Sequence, residues 1–199
     1  MEKMNILYLT NSKVSDVDAL PTFLRSFGDD VTIKTDRFDL TYLIAKDINY
    51  IVCDRPQFLI KSDIIQHLPK KIINLHPSFL PWGRGYHPNY WSIKKNFPHG
   101  VTLHFIDEGI DTGDIVAQTR CFYSESDTLL STYNRLRKLM VDLFKSCWPE
   151  LRQGSMIGIA QNRKEGCLHY KKDFDGHFER LLNGWDTKIS QIPVDKSEI

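Results

Sequence analysis

The first half of the chain alternates short apolar runs with segments of helical spacing, and this alternation limits the possible folds more than any other feature. Runs at residues 5–9, 31–34 and 50–53 are apolar or rich in β-branched residues and are too short for helices. Helical spacing covers residues 19–27 and 62–68. Such alternation is typical of a parallel sheet covered by helices. We therefore predict an α/β fold with a Rossmann-like, mostly parallel sheet flanked by helices.

The second half of the chain supplies further elements of both kinds. The pattern predicts strands at residues 71–75, 101–106 and 115–118, and helices at residues 88–95 and 128–151. The last of these is the longest helix, and its apolar face is predicted to comprise Leu129, Leu130, Tyr133, Leu136, Leu139, Met140, Leu143 and Phe144. Candidate helix caps are Asp16 and Asp18 for the first helix, Ser62 for the helix at 62–68, and Ser126 or Asp127 for the longest one.

Size and charge exclude several classes of protein. A chain of 199 residues that is 41% hydrophobic can bury one good core, so we expect one principal domain at residues 1–160 and a short packed extension at 161–199. The net charge is +1, which gives no general attraction to nucleic acid or to an anionic membrane. No stretch approaches the roughly 20 apolar residues of a membrane span. We expect a soluble, cytoplasmic protein.

The cysteines give little sign of a metal site. The four are far apart in the sequence, with no C-x-x-C pair. Cys167 and His169 stand two residues apart, but two ligands without a second pair are a weak zinc signal. We expect no metal.

Three polar residues form a candidate catalytic site. Asn74 and His76 end one predicted strand on the same face, and Asp111 lies in the turn after another strand. A carboxylate can hold an imidazole poised for proton transfer, while a carboxamide N–H can bind an oxyanion. No G-x-S-x-G elbow is present, so we expect the nucleophile to arrive with the substrate. Each residue could also be structural, with Asp111 forming an Asx turn.

The two motifs that carry these residues resemble those of a known enzyme family. Residues 73–85 read INLHPSFLPWGRG, and residues 100–118 read GVTLHFIDEGIDTGDIVAQ. Both are similar to the motifs of the folate-dependent formyltransferase family. The resemblance implies a Rossmann-like formyltransferase fold and transfer of a formyl group from 10-formyltetrahydrofolate to an amine. It also implies that Asn74, His76 and Asp111 act together on the formyl group.

The resemblance extends to the folate co-substrate. The family holds the pterin largely through backbone groups of a loop after the third strand and of the acidic turn. In this sequence the implied cofactor-binding residues are Phe58, Leu59, Ile60, His104, Asp107, Glu108, Gly109 and Ile110.

The loop after His76 indicates the acceptor. Residues 81–91 resemble the corresponding loop of sugar N-formyltransferases, which act on nucleotide-linked amino sugars. The implied substrate-binding residues are Trp82, Arg84, Gly85, Tyr86, His87 and Asn89. The aromatic residues could equally pack on the core, and Arg84 could pair with a carboxylate instead of a phosphate. The loop at residues 10–16 lacks a glycine-rich phosphate cradle, so we expect phosphates to be held differently.

Three other functions remain open at this point. Glycinamide ribonucleotide formyltransferase and 10-formyltetrahydrofolate hydrolase belong to the same family, and a non-catalytic folate or nucleotide-sugar-binding protein could keep the fold. A methionyl-tRNA formyltransferase would need an RNA-binding domain and basic charge that this sequence does not show. The resemblance also implies a possible homodimer.

Overall fold

The computed structural model describes residues 3–11 and 19–195, which are organised around a six-stranded sheet. The strands of the described chain are β1 (Asn5–Thr10), β2 (Asp30–Lys34), β3 (Tyr50–Asp54), β4 (Ile72–His76), β5 (Arg84–Gly85), β6 (Gly100–Phe105), β7 (Ile115–Arg120) and β8 (Leu168–His169). The large sheet has the order β2-β1-β3-β4-β6-β7. The first four of these strands are parallel, and β6 and β7 run antiparallel to their neighbours. The predicted α/β class is confirmed.

Helices cover both faces of this sheet. They are α1 (Ala19–Arg25), α2 (Leu40–Ala45), α3 (Ser62–His67), α4 (Pro88–Lys94), α5 (Leu129–Gln153) and α6 (Lys171–Phe174), with short 3-10 turns at Phe178–Arg180, Gly184–Asp186 and Ile189–Gln191. Buried residues of α1 and α5 share one apolar cluster with one face of the sheet, and buried residues of α2 and α3 share a second cluster with the other face. None of the helices in the described ranges is long and apolar enough to cross a membrane.

The start of α5 differs from the prediction by one or two residues. Thr128, not Ser126 or Asp127, is the N-cap, because its hydroxyl accepts from the Ser131 N–H at 3.1 Å. The Asp127 carboxylate instead binds Arg135 across the first turns of the helix. Leu130, predicted on the apolar face, is 41% exposed. Leu130 lies on the side of α5 that faces away from the sheet, so the apolar face of the helix is narrower than predicted.

Two other helices also differ from the sequence pattern. Ser62 is the first residue of α3 and does not cap it; Lys61 is the N-cap and provides no side-chain hydrogen bond. The helix α2 was not predicted at all, although Asp39 caps it by accepting from the Tyr42 N–H at 2.9 Å. The proposed caps Asp16 and Asp18 lie outside the described residues.

The segment after residue 160 packs against the loop and helix that follow β4. The strand β8 pairs with β5 in a small parallel sheet. Phe174, Ile189 and Ile192 are buried in a third apolar cluster together with Tyr90 and Trp91 of α4. This segment therefore shares a core with the preceding residues, and a boundary at residue 160 stays a prediction.

A buried ion pair ties α5 to the end of β3. Arg137 is 6% exposed and binds both carboxylate oxygens of Asp54, with Nη2 donating to Oδ2 at 2.9 Å. The Tyr8 hydroxyl donates to the same carboxylate at 2.6 Å. Burial acts to raise the pKa of Asp54, but the hydrogen bonds and charge of Arg137 outweigh it and lower that pKa. The pair fixes the longest helix to the strand ends beneath it.

We expect Arg137→Ala to lower the free energy of unfolding by about 3 kcal/mol, because it leaves the Asp54 carboxylate buried without its main partner. Urea unfolding followed by circular dichroism measures the change. The matched control is Arg135→Ala on the same helix, whose ion pair with Asp127 is more exposed and should contribute about 1 kcal/mol or less. Equal losses in the two variants would contradict a special role for the buried pair.

Candidate active site

The end of β4 places Asn74 and His76 side by side on one face of the sheet. They alternate with Ile73 and Leu75, which pack in the cluster shared with α1 and α5, so the two polar side chains point towards the α2 and α3 face. The antiparallel strand β6 puts His104 directly opposite Asn74. The predicted pair is thus joined by a third polar side chain from a neighbouring strand.

Asp111 reaches the same group from the turn between β6 and β7. Its Oδ1 lies 3.7 Å from His76 Nδ1 and accepts from Asn74 Nδ2 at 3.3 Å. The turn is tight, because a methyl group at Gly113 would lie 1.9 Å from the Phe105 carbonyl oxygen. The structure therefore brings together the three residues that the sequence proposed as catalytic.

Backbone carbonyls indicate which nitrogen of each imidazole carries the proton. Gly83 O can only accept, so His76 Nε2, 2.9 Å away, is the donor, and in the neutral ring His76 Nδ1 is the free base. By the same reasoning His104 donates from Nδ1 to Phe105 O, and its Nε2 accepts from Asn74 Nδ2 at 3.0 Å. Burial lowers the pKa of His76 below 6.5, and the carboxylate of Asp111 opposes this only in part.

The Asp111 carboxylate is held in its charged form. Burial acts to raise its pKa, but the positive charge that His76 and His104 carry when protonated, together with the hydrogen bond from the Gly85 N–H, outweighs burial and holds that pKa below its usual value. The Gly85 N–H donates to Oδ2 at 2.9 Å. Asp111 has a φ of 51°, a left-handed conformation, and the Gln161 amide binds its carbonyl oxygen at 3.0 Å.

Gly85 is the residue that allows this hydrogen bond. Its φ is +87°, and a methyl group at this position would lie 2.2 Å from the carbonyl oxygen of His169 on β8. Predicted as a substrate-binding residue, Gly85 is placed by the structure between β8 and the Asp111 carboxylate. The C-terminal segment thus helps to position the carboxylate of Asp111, a predicted catalytic group.

This arrangement suits addition to a carbonyl group. A neutral imidazole and a carboxylate can take and return a proton, and a carboxamide N–H can stabilise developing negative charge on oxygen. Both N–H groups of Asn74 are engaged, one by His104 and one, through a longer contact, by Asp111. The contact to Asp111 is the weaker of the two and the easier to exchange for a substrate oxygen.

The first group of predicted folate-binding residues lines an open depression at the carboxyl end of the sheet. Phe58, Leu59 and Ile60 form part of its wall, and its volume is about 410 Å³. The basic side chains that line it are Arg37, Lys61 and Lys34, which is paired with Asp36, and Asp39 is an acidic lining residue. Phe58 and Ile60 pack against the same apolar cluster as Ile106, the residue before the acidic turn, so the depression and the start of the turn lie on the same face of the sheet.

The acidic turn is shaped by Asp107. Its carboxylate accepts from the Gly109 N–H at 3.1 Å, from the Thr112 hydroxyl at 2.6 Å and from the Arg163 guanidinium at 2.8 Å. Glu108 is exposed, and Ile110 is half-buried. The side chain of Asp107 therefore has a clear structural role, and ligand contact by this turn stays a prediction.

The predicted acceptor-binding residues occupy different environments. Trp82 is half-buried, Arg84 is half-buried with an Nε that has no hydrogen-bond partner among the described residues, and Tyr86 is 37% exposed. His87 packs against Phe174 at 4.3 Å between ring centres. These residues lie in the loop that follows the catalytic strand.

Asn89, predicted to bind substrate, is buried inside the protein. It is 7% exposed, and its amide nitrogen donates to Leu129 O and to the Thr132 hydroxyl. Its amide oxygen lies 2.9 Å from His99 Nε2. All of its side-chain polar groups are engaged inside the protein, so Asn89 anchors α4 to α5. Tyr90 and Trp91 are likewise buried in a core cluster.

Several residues of the site escaped the sequence analysis. Gln161 supports the backbone of Asp111 and Gly113, and Arg163 supports Asp107, from about 50 residues away in the chain. No spacing rule connects such distant positions. Among the described residues, no group of three or more His, Cys, Asp or Glu side chains is arranged to hold a metal ion.

Comparison with known proteins agrees with this geometry. Residues 40–146, a little over half of the chain, match the family described as Formyl transferase. The dTDP-4-amino-4,6-dideoxyglucose formyltransferase of Mycobacterium tuberculosis is 36% identical over 105 residues, which are 53% of this chain and 44% of that protein. A methionyl-tRNA formyltransferase of Desulforamulus reducens is 30% identical over 67% of this chain and 49% of that protein. This chain spans less than half the length of these curated relatives.

A solved structure matches over nearly the full length of both chains. The formyltransferase PseJ from Anoxybacillus kamchatkensis, in complex with UDP-4,6-dideoxy-4-formamido-L-AltNAc and tetrahydrofolate, superposes with a TM-score of 0.88 at 38% identity. The match covers 96% of this chain and 98% of that one. The fold, the two motifs and these similarities together show that the chain belongs to the formyl transferase family.

Proposed function

We propose that this protein transfers a formyl group from 10-formyltetrahydrofolate to the amino group of a nucleotide-linked amino-deoxysugar. The observation that carries the proposal is the convergence of Asn74, His76 and Asp111 at the carboxyl end of the sheet. The similarity to PseJ, solved with a UDP-linked formamido sugar and tetrahydrofolate, supports both the co-substrate and the acceptor class.

The proposed reaction forms one C–N bond and breaks another. The acceptor amine attacks the formyl carbon, and the carbonyl oxygen takes up the electron pair to give a tetrahedral intermediate. Collapse of this intermediate re-forms the carbonyl and expels N10 of tetrahydrofolate. The amine loses one proton and N10 gains one, so the products are a formamide and tetrahydrofolate with no net change in protons.

The three side chains divide this work. An N–H of Asn74 stabilises the negative oxygen of the intermediate. Neutral His76 presents Nδ1 as a proton acceptor, and the adjacent Asp111 carboxylate stabilises the imidazolium that forms. The Gly83 carbonyl, which accepts from Nε2, keeps the ring turned so that Nδ1 faces Asp111. Burial of His76 keeps it neutral, and therefore able to accept a proton, before the reaction.

The depression beside Phe58 is the proposed folate site. Asn74 and His76 point towards the face of the sheet covered by α2 and α3, and the depression is lined by residues of α2 and α3 on that face. Its apolar wall suits a flat ring system, and Lys34, Arg37 and Lys61 give its rim basic groups that suit carboxylates. Together these features support binding of a folate whose formyl group reaches the catalytic side chains.

The direct test is incubation with 10-formyltetrahydrofolate and a panel of UDP- and dTDP-linked amino sugars, with mass spectrometry of the products. A mass gain of one formyl group on a nucleotide sugar supports the proposal. Turnover only with glycinamide ribonucleotide, or release of formate without any acceptor, would instead assign one of the two enzymatic alternatives. Folate or sugar binding without turnover, unchanged in His76→Ala, would indicate a binding protein.

We expect Asn74→Ala, His76→Ala and Asp111→Ala each to lower kcat by at least about a hundredfold, because each removes an oxyanion donor or a proton-transfer group. Steady-state kinetics with the best acceptor measures the loss, and thermal unfolding checks that each variant is folded. Asp30→Ala, an exposed carboxylate at the start of β2, is the control and should keep full activity. An active His76→Ala protein would refute the mechanism.

We expect the imidazole of His76 to titrate with a pKa below the ordinary 6.5, because burial disfavours its charged form. The ring should therefore stay neutral at pH 6.5 and become protonated only at lower pH. NMR titration of labelled histidines, with the His76 signal assigned from its loss in His76→Ala, measures this directly. In Asp111→Asn the pKa should fall further, since the carboxylate raises it; a pKa of 6.5 or above in the wild type contradicts the assignment.

A further inference from the structure

Three neighbouring strand ends bring polar residues into a row beside the catalytic site. Thr10 of β1 pairs with Asp54 of β3, and Cys53 of β3 pairs with Asn74 of β4. Continued one residue beyond Thr10 and Asp54, and two residues beyond Cys53 and Asn74, this register places Asn11, Arg55 and His76 at the same level. Adjacent strands lie roughly 5 Å apart, so Arg55 follows its strand about one strand spacing from the catalytic histidine.

Arg55 has an unusual backbone conformation at this point. Its φ is 62°, in the left-handed region that a non-glycine residue seldom adopts and that costs roughly 1 to 3 kcal/mol. This turn reverses the direction that strand alternation would give the side chain, and Arg55 Nη1 donates to the Tyr133 hydroxyl on α5 at 3.0 Å. The guanidinium is thus held on the α1 and α5 side of the sheet edge.

The guanidinium of Arg55 is fixed but only partly used. Nε donates to Asp54 Oδ1 at 3.2 Å and Nη1 to Tyr133, whereas Nη2 is buried and has no hydrogen-bond partner among the described residues. Its side chain is 17% exposed. A planar guanidinium whose Nε and Nη1 are hydrogen-bonded and whose Nη2 is unpaired is preorganised to bind an oxyanion.

Two neighbouring side chains have unpaired atoms as well. Thr10 is 1% exposed, and its hydroxyl has no partner within the described part of the chain. The same holds for the buried amide oxygen of Asn11. A hydroxyl can donate to a phosphate oxygen, and rotation of the Asn11 amide would present its NH₂ group instead. Buried polar atoms are rarely left unpaired, so these three point to a ligand.

The charge around this row is positive. The Asp54 carboxylate faces two guanidiniums, those of Arg55 and Arg137, and the Tyr8 hydroxyl beside them stays neutral because burial raises its pKa. One acid against two bases leaves an excess of one positive charge in a half-buried setting. An anion placed there gains more from this charge than it would at an open surface.

We propose that Arg55, together with Thr10 and Asn11, binds the diphosphate of the nucleotide-linked acceptor. This inference rests on the proposed function and identifies where its acceptor is held. The proposed folate depression is on the α2 and α3 face, whereas Tyr133 holds Arg55 on the face of α5. The two substrates would then approach His76 from opposite sides of the sheet edge. The side chains of Arg55, Thr10 and Asn11 would hold the diphosphate in place of the glycine-rich loop that the sequence lacks.

The experiment is calorimetric titration of the full protein with UDP, with inorganic pyrophosphate and with uridine. Arg55→Gln should weaken UDP and pyrophosphate binding by at least about tenfold, as expected for loss of a charged hydrogen bond, and should leave folate binding unchanged. Arg55→Lys, which keeps the charge but not the fork, should bind UDP with intermediate affinity. Arg25→Gln, which removes a guanidinium from the end of α1, is the control and should bind as the wild type does.

Kinetics and folding controls complete the test. Arg55→Gln should raise KM for the nucleotide sugar by at least about tenfold while KM for 10-formyltetrahydrofolate stays constant. Unchanged UDP affinity in folded Arg55→Gln, or a wild type that binds neither UDP nor pyrophosphate, would overturn the inference. If UDP binds through Arg55 but no amino sugar is formylated, the anion site stands and the proposed function fails.

Discussion

The carboxylate of Asp111 is the point on which the site depends, because it joins segments from three distant parts of the chain. It accepts hydrogen bonds from Asn74 on β4 and from the Gly85 N–H in the loop after that strand. Its own turn is held by Gln161 from beyond α5. A charge that is buried in this way must be surrounded by donors, so the surrounding backbone has little freedom to move.

Burial has opposite effects on the two ionisable partners. It keeps His76 neutral, while Asp111 stays charged because hydrogen bonds from the Gly85 N–H and the Asn74 amide offset its desolvation. A neutral base beside a charged carboxylate is the state in which proton transfer from an amine can begin. The same protein interior therefore sets two different protonation states through hydrogen bonding.

Much of this could be predicted from the sequence, for reasons that are local. The short apolar runs predicted the parallel strands. Because side chains alternate along a strand, Asn74 and His76, two residues apart, were predicted to lie on the same face. Asp111 was singled out as a polar residue in the turn after another strand, the resemblance of its motif linked it to Asn74 and His76, and the structure brings the three together. Local patterns do not report long-range contacts, so the supports from Gln161 and Arg163 were missed. The burial of Asn89 against α5 was not foreseen, because its loop resembles a binding loop and local patterns do not report tertiary packing.

The left-handed turn at Arg55 has a consequence for the order of events in the proposed reaction. It directs a basic side chain to one side of the sheet edge, while Asn74 and His76 point to the other. Ligands that enter from opposite sides do not block each other's path. With folate and diphosphate bound as proposed, either could be the first to bind, which corresponds to a random-order ternary complex and not to a compulsory sequence of entry.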